Sequence, residues 1–197
     1  HDQVVAMHAA RWSLFFLVPT GRGRIDEMIT PEQAEATWEW MCDLSETAPF
    51  AIRTTAAPQF RRTMLRRIRS KQAEQAKAGE ATSEVRMTGA GYQMREAPSG
   101  IQTRGVNDGK GFVFIDHRGG ICPSGFLQLP AGNVRTDSLV DVYRNSKLFK
   151  ELRDPTLLKG ACGRCEFADL CGGSRARAYG VTGDYLADDP LCTIQPE

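Results

Sequence analysis

The sequence carries almost no net charge and contains no long hydrophobic run. Its 25 Lys and Arg residues nearly balance 24 Asp and Glu residues, and the resulting formal charge of +1 indicates no partner. The longest apolar run spans only residues 14–18, well short of the roughly 18 residues that cross a membrane, so we expect no membrane partner. No segment repeats at a fixed period. The chain starts at His1 without a cationic and apolar leader, and we expect it to be a piece of something longer.

Cysteine, in contrast, is concentrated in one part of the chain. Five of the six cysteines lie between residues 122 and 192. A secreted disulfide scaffold is usually shorter and denser in cysteine. The clustering therefore favours metal or redox chemistry in a reducing compartment, and we expect a cytoplasmic protein.

Four of these cysteines follow the spacing C-x2-C-x5-C-x20-C, and they are Cys162, Cys165, Cys171 and Cys192. Two cysteines three residues apart can turn both thiolates toward one metal, and a distant fourth can return from the far side of a loop. Four thiolates suit either a zinc ion or the corners of a 4Fe-4S cluster. Structural zinc usually uses two close pairs, so three cysteines plus a distant one favour iron–sulfur, with zinc left open.

The first third of the chain alternates strand and helix signals. Residues 13–18 form an apolar run that predicts a buried strand. Thr30, Pro31 and Gln33 are typical of a capped helix start. A second strand over 51–55 and a helix from Pro58 complete a pattern that predicts a parallel sheet with outer helices.

The second half has a different character. Seven glycines between Gly79 and Gly111 predict a loop or linker over 82–111. Residues 112–116 and 121–129 then predict a β-hairpin around Gly119-Gly120, followed by short helices from about residues 139 and 148.

Several of these segments carry a family resemblance. Residues 111–115, 123–127, 132–135, 171–179 and 182–184 resemble the auxiliary-cluster region of radical SAM enzymes of the SPASM type. The likeness is to the branch assigned to haem d1 biosynthesis. Residues 15–23 and 52–58 resemble late barrel segments of the same branch, so the resemblance covers most of the chain.

The resemblance implies a fold that is α/β plus α+β. Residues 1–81 would be the late segments of a partial β/α (TIM-like) barrel, and residues 82–111 a Gly-rich linker. Residues 112–197 would form a small SPASM- or twitch-like domain that holds one auxiliary 4Fe-4S cluster on the four spaced cysteines. Arg175 stands where a two-cluster relative would have a further cysteine, which supports one cluster rather than two.

The resemblance also implies a function, which is that of the C-terminal portion of a radical SAM oxidoreductase. The chain lacks the C-x3-C-x2-C triad that such enzymes use to hold their S-adenosylmethionine-cleaving cluster, so whether this chain alone is an enzyme stays open. S-adenosylmethionine and that second 4Fe-4S cluster would be bound by a missing N-terminal barrel half or a companion chain. The implied substrate is a haem-type tetrapyrrole or, second, a peptide, and the implied electron donor is a flavodoxin or ferredoxin. The alternative is a non-enzymatic four-cysteine module, with zinc or a structural cluster, used for folding or docking.

A few further residues are candidate site residues. Cys122 is a candidate extra ligand or substrate-facing thiol, or a buried free thiol. Arg22, in a glycine-rich loop after a strand, and Arg61 and Arg62, on a basic helix, are candidate contacts to cofactor or substrate carboxylates. A solvated basic face is the simpler interpretation of that helix, and nucleic acid is not expected because aromatic residues are not interleaved. Arg164, Arg175 and Arg177 would stabilise a negative cluster or be solvated, the second being the simpler interpretation, and no catalytic residue is predicted.

Overall fold

The computed structural model describes residues 1–78, 86–88, 91–93 and 107–196. The α-helices are α1 (Asp2–Ala6), α2 (Pro31–Thr47), α3 (Gln59–Lys77), α4 (Leu139–Asn145), α5 (Lys147–Arg153), α6 (Gly160–Arg164) and α7 (Arg175–Thr182), with 3-10 turns at Ile25–Glu27 and Pro155–Leu157. The strands are β1 (Arg11–Phe15), β2 (Ala51–Thr55), β3 (Arg86–Thr88), β4 (Gly91–Gln93), β5 (Phe114–Ile115) and β6 (Ile121–Cys122). Most of the predicted linker over 82–111 lies outside the described residues.

The first half contains a parallel pair of strands, as predicted. The first strand lies at residues 11–15 and alternates exposed and half-buried residues, so the prediction of a buried strand over 13–18 is wrong in position and burial. Strands β1 and β2 run parallel in the register Arg11 to Ala51 through Phe15 to Thr55, and α2 connects them. Helix α2 starts at the predicted capping box, in which Thr30 accepts the Gln33 N–H and Gln33 accepts the Thr30 N–H. These features confirm the expected strand–helix–strand–helix order.

One apolar core joins this unit to a distant part of the chain. The fully buried Trp38 and Met41 of α2 pack with Phe16 after β1 and Phe60 of α3. Leu191, 2% exposed, belongs to the same core. The segment that carries Cys192 is therefore anchored in the core of the first half, through the neighbour of that cysteine.

The predicted hairpin is present but shorter than expected. Strands β5 and β6 pair antiparallel around Gly119, whose φ of +87° suits glycine. Strand β6 ends at Cys122 because the hydroxyl of Ser124 accepts the N–H groups of Phe126 and Leu127 and turns the chain. Two short helices, α4 and α5, follow as predicted, each capped by a serine.

The sheets of the described residues are small. Each has two strands, and no closed barrel is formed in the parts of the chain that the structure covers. The α/β character is thus confirmed, while the barrel stays an inference from resemblance. No helix among the described residues is long and apolar enough to cross a membrane.

Candidate metal centre

Four cysteine side chains from three chain segments line one partly open pocket. They are the four that the sequence spacing singled out, namely Cys162, Cys165, Cys171 and Cys192. The remaining lining residues are Gln59, Arg62, Ala161, Phe167, Ala168, Gly172, Gly173 and Ile194. The structure therefore brings the four predicted ligands together between α3 and the chain that follows α6.

The first two cysteines are positioned by the short helix α6. Cys162 lies within the helix, and its N–H donates to the Asp188 carboxylate at 2.7 Å. Cys165 is the residue at which the helix ends. Residues 166–170 form hydrogen-bonded turns, and the Cys171 N–H donates to the Phe167 carbonyl at 2.7 Å. These turns bring the third cysteine back to the pocket.

Gly173 allows the chain to pass close to the sulfur atoms. Its φ is +63°, a region that L-residues with side chains rarely adopt. A Cβ at this position would lie 2.8 Å from the Cβ of Asp189 and 3.4 Å from the Sγ of Cys162. The glycine pair after Cys171 is thus required by the local packing around the pocket.

Backbone N–H groups point at three of the four sulfurs. The Gly173 N–H donates to the Sγ of Cys171 at 3.5 Å. The backbone N–H groups of Asp189 and Ile194 act in the same way on Cys162 and Cys192, where they favour the thiolate. Such donors stabilise negative charge on sulfur, and hydrogen bonds to ligand sulfurs are a main determinant of cluster potentials.

Burial disfavours the thiolate form of these cysteines when no metal is bound, and this effect is larger than that of the backbone N–H groups. It raises the pKa of Cys171 to about 12 and also raises the pKa of Cys162 and of Cys192. Without a metal, these groups are therefore neutral thiols at pH 7. A metal that binds here must displace their protons, so its binding strengthens as pH rises.

Two buried arginines flank the pocket. Arg62, 1% exposed, pairs with Glu35 and places its Nη1 3.5 Å from the Sγ of Cys192. Arg175, 2% exposed, places its Nη2 3.8 Å from the Sγ of Cys162. The simpler interpretation, in which Arg175 is solvated, is therefore wrong, and Arg62 faces the pocket instead of solvent.

A buried carboxylate organises the wall behind the cysteines. Asp189, 2% exposed, accepts the side-chain amide of Gln59 at 2.6 Å and the Ser174 N–H at 2.6 Å. Its Oδ2 also lies 3.5 Å from the Nη1 of Arg177. The other end of Gln59, its Oε1, is buried without a hydrogen-bond partner among the described residues and lines the pocket.

Arg177 connects this wall to the ends of the parallel strands. Its side chain is fully buried and donates to the backbone carbonyls of Leu17 and Ala56, just beyond β1 and β2. Ala56 has a φ of +58°, a left-handed conformation that is strained for alanine. The carboxyl ends of the strands and the cysteine pocket are therefore linked through one ion pair.

The other sequence candidates lie elsewhere. Cys122 is fully buried in β6 and is absent from the lining of the cysteine pocket. Arg22 is exposed in the loop after β1. Arg61 is half-buried, and its Nη1 donates to the Leu170 carbonyl at 3.2 Å. The basic helix is not a purely solvated face, since Arg62 and Arg67 bind carboxylates of α2.

The four cysteines line one pocket but do not form a ready-made site for a metal ion. No three Cys, His, Asp or Glu side chains among the described residues are grouped so that they could hold one metal ion. A tetrahedral zinc ion with Zn–S bonds of about 2.3 Å would need sulfurs about 3.8 Å apart. No group of cysteines among the described residues meets that requirement.

Sequence reasoning did not identify Asp189, Gln59 or Asn107 as part of this region. The Asn107 side chain donates to the carbonyls of Cys171 and Gly173 at 3.3 and 3.1 Å, which holds the glycine pair in place. Asn107 falls in the predicted linker. Gln59 begins a helix in which the arginines, and not this neutral residue, were the candidate contacts. Only the Asp188-Asp189 pair could have been noticed in the sequence. Carboxylates disfavour a thiolate nearby, so two acidic residues close to Cys192 are unexpected.

Comparison with known proteins extends this picture. No family model matches the chain. The AdoMet-dependent heme synthase of Methanosarcina barkeri is 35% identical over 188 residues, which cover 95% of this chain and 49% of that protein. The pre-heme d1 synthase of Dinoroseobacter shibae is 35% identical over 46% of this chain and 23% of its own length. The PqqA peptide cyclase of Bradyrhizobium diazoefficiens is 31% identical over 45% of this chain and 25% of its own length. The chain thus spans about half the length of the curated relatives that it matches along most of its residues.

Proposed function

We propose that this chain, a homologue of radical SAM enzymes of the SPASM type along 95% of its length, holds an auxiliary 4Fe-4S cluster on Cys162, Cys165, Cys171 and Cys192. In the whole enzyme it would be the C-terminal portion, with residues 1–81 completing the barrel. The observation that carries the proposal is the convergence of these four cysteines on one pocket. Backbone donors at three sulfurs and two buried guanidinium groups support a negatively charged occupant.

When bound, such a cluster would supply or accept one electron during a radical reaction. The residues of this chain would prepare the site for that role. The four thiols would release their protons and act as ligands. Gly173 would leave room beside Cys162, and Asp189 would hold the wall formed by Gln59 and Ser174 in position. Phe167 and Ile194 would keep water away from one side of the pocket.

We propose a haem-type tetrapyrrole as the substrate class. The relatives that match most of the chain are heme synthases, whereas the peptide cyclases match less than half of it. Phe15, 69% exposed at the carboxyl end of β1, forms an edge-to-face pair with Phe126 at 6.2 Å. Exposed rings at strand ends suit contact with a flat conjugated molecule. Arg22 and Arg61 would contact its carboxylates, and a peptide substrate is the second candidate.

The same proposal specifies partners and surroundings. S-adenosylmethionine and the cluster that cleaves it would be held outside these 197 residues, because the C-x3-C-x2-C triad is absent from them. A one-electron donor such as flavodoxin or ferredoxin would supply electrons. All six cysteines are free, which agrees with a reducing compartment such as the cytoplasm.

The test is iron, sulfide and zinc analysis of anaerobically purified protein, together with a visible absorption spectrum. We expect about four irons and four sulfides per chain, the composition of one 4Fe-4S cluster. Cys165→Ala should lose most of the iron and destabilise residues 155–197, because a ligand and its metal contribute to folding. Cys42→Ala, which changes a buried cysteine outside the pocket, is the matched control and should keep its iron.

The alternative function is a folding or docking module that binds zinc on the same four cysteines. One zinc per chain and no iron in anaerobic preparations would establish that alternative and remove the cluster. Full iron content in Cys165→Ala would instead disprove the ligand assignment while leaving a cluster in place elsewhere. The two results are distinguishable because the metal and the variant are measured separately.

A further inference from the structure

We propose that Arg175 sets the redox potential of the four-cysteine centre, because it brings a buried positive charge to Cys162 without a carboxylate partner of its own. The inference rests on the cluster proposed above and assigns a positioning role to one residue of its surroundings. It concerns the charge of the guanidinium, and not merely its size.

The contacts of Arg175 are unusual for a buried arginine. Its Nη1 donates to the carbonyls of Tyr185 and Ala187 at 3.0 and 2.7 Å, and its Nε donates to the carbonyl of Gly173 at 3.4 Å. Its Nη2 lies 3.8 Å from the Sγ of Cys162. Neutral carbonyls satisfy its hydrogen bonds, and the charge of Asp184 interacts with it only at longer range, without a direct ion pair.

The other two buried arginines of this region differ in that respect. Arg62 pairs with Glu35, and Arg177 lies 3.5 Å from Asp189. Within the ranges that the structure describes, no carboxylate oxygen lies within 4.0 Å of Arg175. A buried, unpaired charge is costly, so a site of this kind implies a counter-charge that arrives with the occupant. A thiolate at Cys162, held by a cluster, is the nearest group able to provide it.

The electrostatic consequence has a definite sign. One-electron reduction adds a negative charge to a centre that four thiolates already make negative. A fixed positive charge at the sulfur of Cys162, in a buried site with little screening, favours the reduced form and raises the potential. Removing that charge should therefore lower the potential and make the centre harder to reduce.

The experiment compares the wild-type protein with Arg175→Gln, Arg175→Lys and Arg164→Gln. Arg164 lies between two of the ligand cysteines but is exposed, so its replacement removes the same charge from solvent. Iron and sulfide are measured first, and the potential is then determined by dithionite titration followed by electron paramagnetic resonance. We expect Arg175→Gln to lower the reduction equilibrium constant at least tenfold, which is about 59 mV for a one-electron couple. Arg175→Lys and Arg164→Gln should stay within threefold of wild type.

Each outcome has a stated meaning. A loaded Arg175→Gln variant with an unchanged potential overturns the inference, as does an equal shift in Arg175→Lys. If Arg175→Gln contains no cluster while Arg175→Lys does, the charge acts on cluster loading and not on the potential, and the inference is overturned. Loss of the cluster in both variants points to packing and overturns it. A wild-type protein without iron refutes the proposed function instead.

Discussion

At the scale of single residues, the chain contains cysteines in two kinds of environment. Cys42 is 4% exposed and packs beside Trp38 and Met41 in an apolar core. The pocket cysteines Cys162 and Cys171 are also buried and Cys192 is half-buried, but backbone N–H groups favour their thiolates. The difference separates a thiol packed in an apolar core from the thiols that we propose as metal ligands.

Cys42 provides a test of the first kind of environment. Burial is the main cause that raises its pKa from 9.0 to about 11, and Arg67 opposes it only in part. A raised folded-state pKa gives stability that is complete below the unfolded pKa and is lost as pH rises toward the folded pKa. Between pH 8 and pH 10, the wild type should lose about 1.3 kcal/mol of unfolding free energy relative to Cys42→Ala. Urea titrations at both pH values measure this, and parallel pH dependence in the two proteins would contradict it.

The sequence predicted some residue roles and missed others. The four pocket cysteines could be selected because their spacing is itself the signal. The burial of Arg175 and Arg177 could not be predicted, because a sequence displays charges but not the carbonyls and carboxylates that distant segments bring to them. The same limit applies to Gln59, whose partner Asp189 is 130 residues away.

At the scale of elements, the local signals were the most reliable. Strand β2 lies at the predicted residues, and the capping box fixes the start of α2. The return strand of the hairpin was overestimated, since residues 131 and 132 hydrogen-bond to Ile121 and replace the longer β-ladder. Local hydrogen bonds are encoded within a few residues, whereas the length of a strand depends on which chain lies beside it.

The start of α2 can be tested directly. Thr30→Ala removes the hydroxyl that accepts the Gln33 N–H at 3.2 Å, which leaves a helix N–H unsatisfied. We expect a loss of about 1 kcal/mol of unfolding free energy in urea titrations. Thr30→Ser keeps the hydroxyl and serves as the control, and it should lose less than half of that amount. Equal losses in the two variants would show that the threonine methyl group, and not the cap, is responsible.

At the scale of the whole molecule, Arg177 is the main polar link between the strand ends and the cysteine pocket in the described chain. It donates to carbonyls beyond β1 and β2 while pairing with Asp189 behind the cysteines. Burial lowers its pKa, and the Asp189 carboxylate opposes this shift. A change at the pocket wall can therefore reach Ala56 through a single side chain.

Replacing Arg177 should cost more than replacing most other residues. Arg177→Met leaves the buried Asp189 without its cation, and we expect a loss of about 3–5 kcal/mol of unfolding free energy. Arg144→Met, on the exposed side of α4, removes the same charge and should change stability by less than about 0.5 kcal/mol. Thermal and urea unfolding of the metal-loaded proteins measure both. A loss below 1 kcal/mol in Arg177→Met would show that the link is not energetically important.

The overall architecture was predicted less completely than its parts. The resemblance to radical SAM enzymes of the SPASM type is confirmed by relatives that match 95% of the chain. The barrel assigned to the first 81 residues stays a prediction, since the described strands form only two-stranded sheets. A barrel forms only when its first and last strands pair with each other. Two parallel strands, β1 and β2, do not determine whether the remaining strands close the sheet in this way.

The contacts between distant segments affect how the chain folds during its synthesis. Gln59 meets Asp189 across 130 residues, and Leu17 meets Arg177 across 160. Contacts with such long loops form slowly, because the entropy of closing each loop is lost before the contact is gained. At about 5–20 residues per second, a ribosome reaches Ser174 several seconds after it completes α3. During that interval the nascent chain carries Gln59 without Asp189 and an apolar core without Leu191, so it is expected to need protection by chaperones until the cysteine segment is synthesised.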